Sequence, residues 1–305
     1  MQFIGCGALN LDRLYKVQDV IKGDEEIPIV DTVEEPGGSA ANTIYALGKL
    51  NMSAGFIGAV GSDGEGEKVL RSLSQVGIDT SHIKIKAKVK TGLVIGFVDP
   101  KGERALYISP GANNLFSHQD MDMEYLKRAD FIHMSSFVDD TQLALQKKIA
   151  DVLEDRTLLS FAPGSLYAKR GFESLSPLVK RSHVLFLNEE EVRLLTGKET
   201  YESAAKFLID SGCETVVITL GAKGCFITDG TESAHVDANK TPVIDTTGAG
   251  DAFCAGFLYG LSEKRELEKC GMIGNYLASK CISELGARKG LPTREMLEDE
   301  LAEIF

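Results

Sequence analysis

The chain has 305 residues, 43% of them hydrophobic and 26% charged, enough to bury a large core in one or two α/β units. Its formal net charge of -12 excludes the basic stripe that holds nucleic acid and speaks against an anionic membrane as partner, and no apolar run approaches membrane-spanning length. The six cysteines are scattered, with no C-x-x-C pair, so buried free thiols in a reducing, cytoplasmic compartment are expected.

Residues 3–8 read as a continuously apolar strand that runs on to Asn10 and Asp12, two apart and hence on one side of an extended chain. An Asn and a carboxylate converging there suit the vicinal hydroxyls of a sugar, and equally suit a plain turn. Residues 13–35 contain Ile27-Pro-Ile-Val-Asp-Thr-Val33, a strand with no helix after it. In Pro36-Gly37-Gly38-Ser39-Ala40-Ala41-Asn42 the di-glycine lets a ligand approach the backbone, and Asn42 falls on the first turn of a helix predicted at 40–50. A helix start capped by Ser39 is the plainer alternative. A strand at 55–60 and a helix at 64–76 follow. Residues 83–110 then give Thr91-Gly-Leu-Val-Ile-Gly-Phe-Val98, a Pro-Lys-Gly turn and Arg104-Ala-Leu-Tyr-Ile-Ser109. Strands without intervening helices predict that 13–35 and 83–110 form a small, largely antiparallel β-sheet lid on a core of residues 1–12, 36–82 and 111–305. Such a lid also offers a surface for a homodimer.

Further on, strands at 131–134, 158–161, 184–187, 216–219 and 225–228 alternate with helices at 141–154, 202–211, 252–261, 267–284 and 294–304. Apolar strands alternating with helices predict an α/β fold with a mostly parallel sheet covered on both faces. The strand at 184–187 ends in Asn188, with Glu189, Glu190 and Glu191 after it. The helix dipole explains acids in a first turn, whereas Asn188 with Glu191 three residues on can orient the water shell of Mg²⁺. The strand at 216–219 ends in Thr219-Leu-Gly221-Ala-Lys223-Gly224, a glycine turn. These motifs sit at strand carboxyl ends, where open α/β sheets build their sites. Most informative is Asp245-Thr-Thr-Gly-Ala-Gly-Asp251, which opens an apolar helix. The turn Gly248-Ala249-Gly250 frees helix-start amides to face an anion, and a carboxylate there is costly unless chemistry uses both. Asp251 can accept a proton from an attacking hydroxyl while the amides hold the transferring phosphoryl oxygens. The sequence has no Walker loop, no protein-kinase signature set and no G-x-S-x-G elbow, and its five histidines are far apart.

Taken in order, the GGSAAN segment at 37–42 and DTTGAGDAFCAGF at 245–257 resemble the two signatures of the ribokinase, or PfkB, family of carbohydrate and nucleoside kinases. The resemblance runs from Gly7-Ala-Leu-Asn-Leu-Asp12 to Gly286-Ala-Arg-Lys-Gly-Leu-Pro292. It implies a three-layer αβα ribokinase-like core with a β lid. It also implies transfer of the γ-phosphoryl of ATP to a hydroxymethyl group, with Mg²⁺ and, in many members, a monovalent cation such as K⁺. By resemblance Asp251 is the general base, and Gly248, Ala249 and Gly250 supply the anion hole. Asn10, Asp12, Gly38 and Asn42 contact the sugar, and Arg104 reaches over it from the lid. Asn188, Thr219, Gly221 and Gly224 are similar to the family's nucleotide contacts, with Asn275 near the base. Glu191 resembles the glutamate of the family's N-x-x-E motif, which holds Mg²⁺ through water. Asp245 and Thr247, with backbone near Cys281 and Gly286, resemble part of a monovalent-cation site. Tyr107-Ile-Ser-Pro-Gly-Ala-Asn113 is similar to the P-G-A-N segment of the sugar kinases, so a small sugar is the expected acceptor. Phe131-Ile-His-Met-Ser-Ser136 lacks the acid expected there in ribose-specific members, and Glu268-Lys-Cys-Gly-Met-Ile-Gly274 resembles archaeal nucleoside kinases. A nucleoside kinase of the same fold is therefore the alternative. A catalytically inactive sugar- or nucleotide-binding regulator is a third reading, against which the intact Asp251 and its turn count.

Overall fold

The computed structural model describes residues 1–21, 23–100 and 104–304. In chain order the strands are β1 (Phe3–Cys6), β2 (Asn10–Lys16), β3 (Asp31–Gly37), β4 (Ala54–Gly61), β5 (Ile83–Lys86), β6 (Gly92–Val98) and β7 (Arg104–Ser109). After them come β8 (Phe131–Ser135), β9 (Leu158–Ala162), β10 (Ser182–Asn188), β11 (Thr215–Thr219), β12 (Cys225–Thr228) and β13 (Ser233–Val236). The helices are α1 (Ser39–Lys49), α2 (Gly64–Gln75), α3 (Met123–Leu126), α4 (Asp140–Val152), α5 (Gly164–Ala168) and α6 (Gly171–Arg181). They continue with α7 (Glu189–Thr196), α8 (Tyr201–Asp210), α9 (Ala249–Ser262), α10 (Leu267–Ile282) and α11 (Arg294–Ile304).

The larger sheet has the order β13-β12-β11-β10-β9-β8-β1-β4-β5. It is parallel from β11 through β5, with β12 and β13 added antiparallel at one edge. Both faces of the parallel part are covered, because successive residues of each strand go to opposite cores. Phe3, Phe56, Phe131 and Phe186 pack on one side with Ile44 and Leu47 of α1 and Phe253 and Phe257 of α9. Ile4, Ile57, Ile132 and Leu185 pack on the other with Ile149 of α4, Leu178 of α6 and Leu208 of α8. This is the expected αβα sandwich. Among the described residues no helix is long and apolar enough to cross a membrane.

The smaller sheet has the order β3-β2-β6-β7 and stands apart from the first. Two of its pairings are antiparallel, and β2 with β6 is parallel, in register from Asn10 opposite Gly92. Its boundaries differ from the sequence reading. The strand Ile83–Lys86 belongs to the core sheet, parallel to β4, because the crossover through α2 brings the chain back beside β4 before it leaves again near Thr91. Asn10 and Asp12 in turn open the lid strand β2 and do not close a core strand. Both roots are pinned. Asn113 accepts from Leu9 N–H and donates to Leu9 O and Asn10 Oδ1, while Asp63 accepts from Thr91 N–H and Oγ1 at 2.9 and 2.6 Å.

Candidate active site

The first turns of α1 and α9 meet at Asp251. Ser39 Oγ donates to Asp251 Oδ1 at 2.5 Å, Asn42 Nδ2 donates to Oδ2 at 2.9 Å, and Thr43 Oγ1 donates to the Asp251 carbonyl at 3.1 Å. The carboxylate is thus aimed by both oxygens from a neighbouring helix. Burial pushes its pKa up, and the two side-chain hydrogen bonds and the charge of Arg288 pull it back. Ser39 is therefore more than a helix start: its hydroxyl makes no cap and serves the carboxylate. Gly38 at the head of α1 has φ 101°, and a Cβ there would lie 2.1 Å from the Ala8 carbonyl oxygen, so only glycine fits.

Gly248, with φ 77°, caps α9. Ala249 N–H reaches back to Thr246 O at 3.3 Å, whereas the Gly248, Gly250 and Asp251 amides have no acceptor among the described residues. Open amides and a helix dipole thus lie one turn from a carboxylate, an arrangement that can receive an anion, while the Ala249 amide is already engaged. The turn is braced by Asp245, whose two oxygens accept from Thr247 N–H and Gly286 N–H, both at 2.9 Å. Cys281 Sγ lies 3.5 Å from the carbonyl oxygens of both Thr247 and Ala287. The segments read as a monovalent-cation site are therefore brought together.

On the lid side, a cleft of about 880 Å³ lies between β2, β3 and β6 above and the loops at 243–247 and 285–287 below. Asp12 lines it, and its Oδ1 is buried without a hydrogen-bond partner among the described residues. An acceptor left open beside a roomy cleft has capacity for a partner that enters it. Asn10 Oδ1 accepts from Asn113 at 2.9 Å, which leaves its Nδ2 free of partners among the described residues. Glu35, from β3, lies against Gly286 and faces Asp245. The Arg104 side chain lies outside the described part of the structure.

Burial pushes the Asp12 carboxyl up to about 7, with Arg288 lowering it and Asp251 and Glu35 raising it further. In the ligand-free protein, then, the stability tied to Asp12 is full below the ordinary carboxyl range, about pH 4, and is lost as pH rises through about 7. Asp12→Asn is accordingly expected to raise the melting temperature over wild type by a margin that widens from pH 5 to pH 8. A margin that stays flat across that range would mean a solvated carboxylate.

Asn188 and Thr219 are register partners at the carboxyl ends of β10 and β11. Asn188 caps α7 reciprocally with Glu191: Oδ1 accepts from Glu191 N–H, and Glu191 Oε2 accepts from Asn188 N–H. The capping box is the plain helix-start reading, and it leaves Glu191 Oε1 unpartnered among the described residues while the carboxylate still feels Asp251. Gly221 and Gly224 form the turn beyond β11, closed by Leu220 N–H to Gly224 O at 2.7 Å. Asn275 departs from the expectation of a contact to the nucleotide base. It is buried, and its amide donates to Val236 O and Asp237 O at 3.1 and 3.0 Å, fastening the end of β13. Sequence reasoning also passed over Ser39, Glu35 and Arg288 as site residues. No local spacing marks them, since each acts across 200 residues or more, as in Ser39–Asp251 and Arg288–Asn42.

Residues 6–294 match the pfkB family of carbohydrate kinases. An uncharacterized sugar kinase of Archaeoglobus fulgidus is 38% identical over 246 residues, covering 81% of this chain and 98% of its own. A ribokinase of Haemophilus influenzae is 28% identical over 296 residues, covering 95% and 94%. The structure of Arabidopsis thaliana ribokinase complexed with ribose and ATP superposes with a TM-score of 0.85 at 24% identity, over 98% of each chain.

Proposed function

The chain belongs to the pfkB family of carbohydrate kinases, phosphotransferases acting on alcohol groups, and on that footing we propose that it transfers the γ-phosphoryl of ATP to a hydroxymethyl group of a small sugar. The observation that carries the reading is the pairing of Asp251, aimed through both oxygens by α1, with the open amides of Gly248 and Gly250. A sugar hydroxyl arriving between them would take over one of the Asp251 hydrogen bonds. Asn10 and Asp12 would hold its neighbouring hydroxyls.

Even raised by burial, a carboxyl stays far below a sugar alcohol in pKa, so the hydroxyl is not ionised beforehand. Phosphoryl transfer through a loose transition state needs only late proton removal, and positioning with charge stabilisation does most of the work. Each well-aimed amide can lower the barrier by roughly 3 kcal/mol. Asn188, Thr219 and the Gly221–Gly224 turn would line the nucleotide. The unpartnered Glu191 oxygen fits the water shell of Mg²⁺, an ion that neutralises phosphate charge. The braced 245–247 and 286 loops fit a monovalent cation, whose charge would offset Asp245 beside the anion cradle. Lid closure over the cleft would exclude water.

Six buried, unpaired cysteines support a cytoplasmic setting, and a homodimer through the lid draws support from Leu106, Tyr107 and Ile108, exposed along the edge strand β7.

A coupled ADP-release screen with ribose, fructose, 2-keto-3-deoxygluconate, adenosine, inosine and cytidine, with and without Mg²⁺ and K⁺, tests the reading. Mg²⁺-dependent turnover on a sugar is the expected result. Turnover confined to nucleosides would transfer the assignment to a nucleoside kinase, and ADP release on none of them would favour a binding regulator.

A further inference from the structure

Arg288 lies in the loop after α10 and is 7% exposed. Its Nε donates to Asn42 Oδ1 and its Nη1 to Ser72 Oγ, both at 2.9 Å, and the guanidinium stacks 4.7 Å from the Tyr45 ring centroid. Nη2 is buried with no hydrogen-bond partner among the described residues. The groups facing it are Asn42 and Tyr45 on α1, Ser72 on α2, Asp12 on β2, Glu35 on β3 and Asp251 on α9. A guanidinium is costly to bury unless something uses its charge, and the charges of Asp12, Asp251 and Glu35 all act on this one.

Hydrogen-bond polarity then fixes the chain Arg288–Asn42–Asp251. A guanidinium only donates and a carboxylate only accepts, while an amide has one end of each kind. Nε must therefore meet Asn42 Oδ1, and that leaves Nδ2 as the atom presented to Asp251 Oδ2 at 2.9 Å. Turned over, the Asn42 amide would set donor against donor on one side and acceptor against acceptor on the other.

We propose that Arg288 is the positioning residue of this centre: it locks the Asn42 amide toward Asp251 and sets a positive charge behind that carboxylate. The proposal rests on Asp251 as the proton acceptor. Arg288 itself touches no reacting atom. Burial raises Asp251, Asp12 and Glu35 alike, and Arg288 lowers all three. Glu35 also has Lys289 and Asp245 near it, and Glu191 faces Asp251 from α7.

The test compares Arg288→Met, which keeps an apolar stem on Tyr45, with Arg288→Lys, which keeps the charge and loses the fork. Carboxyl ¹³C NMR, with the Asp251 signal assigned by its loss in Asp251→Asn, reads the titration without any acceptor. Asp251 should titrate about one pH unit higher in Arg288→Met and near its wild-type position in Arg288→Lys. With an accepted sugar, kcat of Arg288→Met should fall about 30-fold, its acidic limb should move up with the titration, and the KM for ATP should stay within about twofold. The Arg288→Met/Asn42→Ala double variant should lose no more than Asn42→Ala alone. An unmoved Asp251 titration, or losses that add, would reduce Arg288 to a structural arginine. If Arg288→Met does not fold, the lysine variant decides through its cycle with Asn42→Ala: lowered turnover that vanishes in the Asn42→Ala background upholds the proposal, and wild-type turnover or losses that add overturn it. Failure of wild type to phosphorylate any acceptor would sink the kinase reading and leave the titration result standing.

Discussion

Asp251→Asn should lower kcat by about a hundredfold to ten-thousandfold while ATP and the acceptor bind with affinities within about threefold of wild type. The variant should fold, because its new amide can be satisfied in place. Asn42 Nδ2 donates to Oδ2 and cannot accept, so the new amide nitrogen turns toward the Ser39 hydroxyl, which rotates to receive it. Every hydrogen bond is kept, and what is lost is the negative charge together with the capacity to take a proton. Steady-state kinetics with calorimetric binding of both ligands checks this. Turnover within tenfold of wild type would remove Asp251 from proton transfer and revive the reading of the chain as a binder.

Gly248→Ala should cost both stability and rate. At φ 77° a side chain costs about 1–2 kcal/mol, and the new methyl would lie 2.4 Å from Ala287 Cβ and 2.7 Å from its Cα. The turn must shift against the loop that Asp245 ties to Gly286. The open amides shift with it, and misaimed donors at this position should lower kcat by about a hundredfold to a thousandfold. The neighbouring Gly250→Ala supplies the control, since open space surrounds its Cβ position and no left-handed backbone is required there. Thermal melts and kcat for the pair check the argument: Gly248→Ala should lose several degrees in melting temperature and Gly250→Ala should not.

Elements whose local pattern agrees with their tertiary place were legible in the sequence. The core strands and the helices at 64, 141, 202, 252 and 267 appear within a few residues of where they were read, because each carries its own apolar period. The helix α6 was missed, since Pro177 interrupts it and Gly171 opens it at φ 75°. Residues 83–86 were counted with the lid, because Ile-Lys-Ile-Lys was not recognised as a strand and fits the edge of either sheet. Within the site, the glycine turn with Asp251 and the Asn188–Glu191 pair could be read because their chemistry is local. Arg288, Glu35 and the occupation of Asn275 could not, because each depends on which distant loops fold together.

The two pinned lid roots lie side by side, since β2 and β6 begin in register at Asn10 and Gly92. A flap attached along one such line can swing as a rigid plate, with no ladder bond broken as it turns. Opening and closing of such a flap would then be set at that line, away from the reacting atoms. Changes at Asp63, whose carboxylate bonds, among the described residues, only to the lid root at Thr91 and the first turn of α2, would therefore tune how fast the enzyme cycles while the intrinsic rate of the chemical step stays as it is.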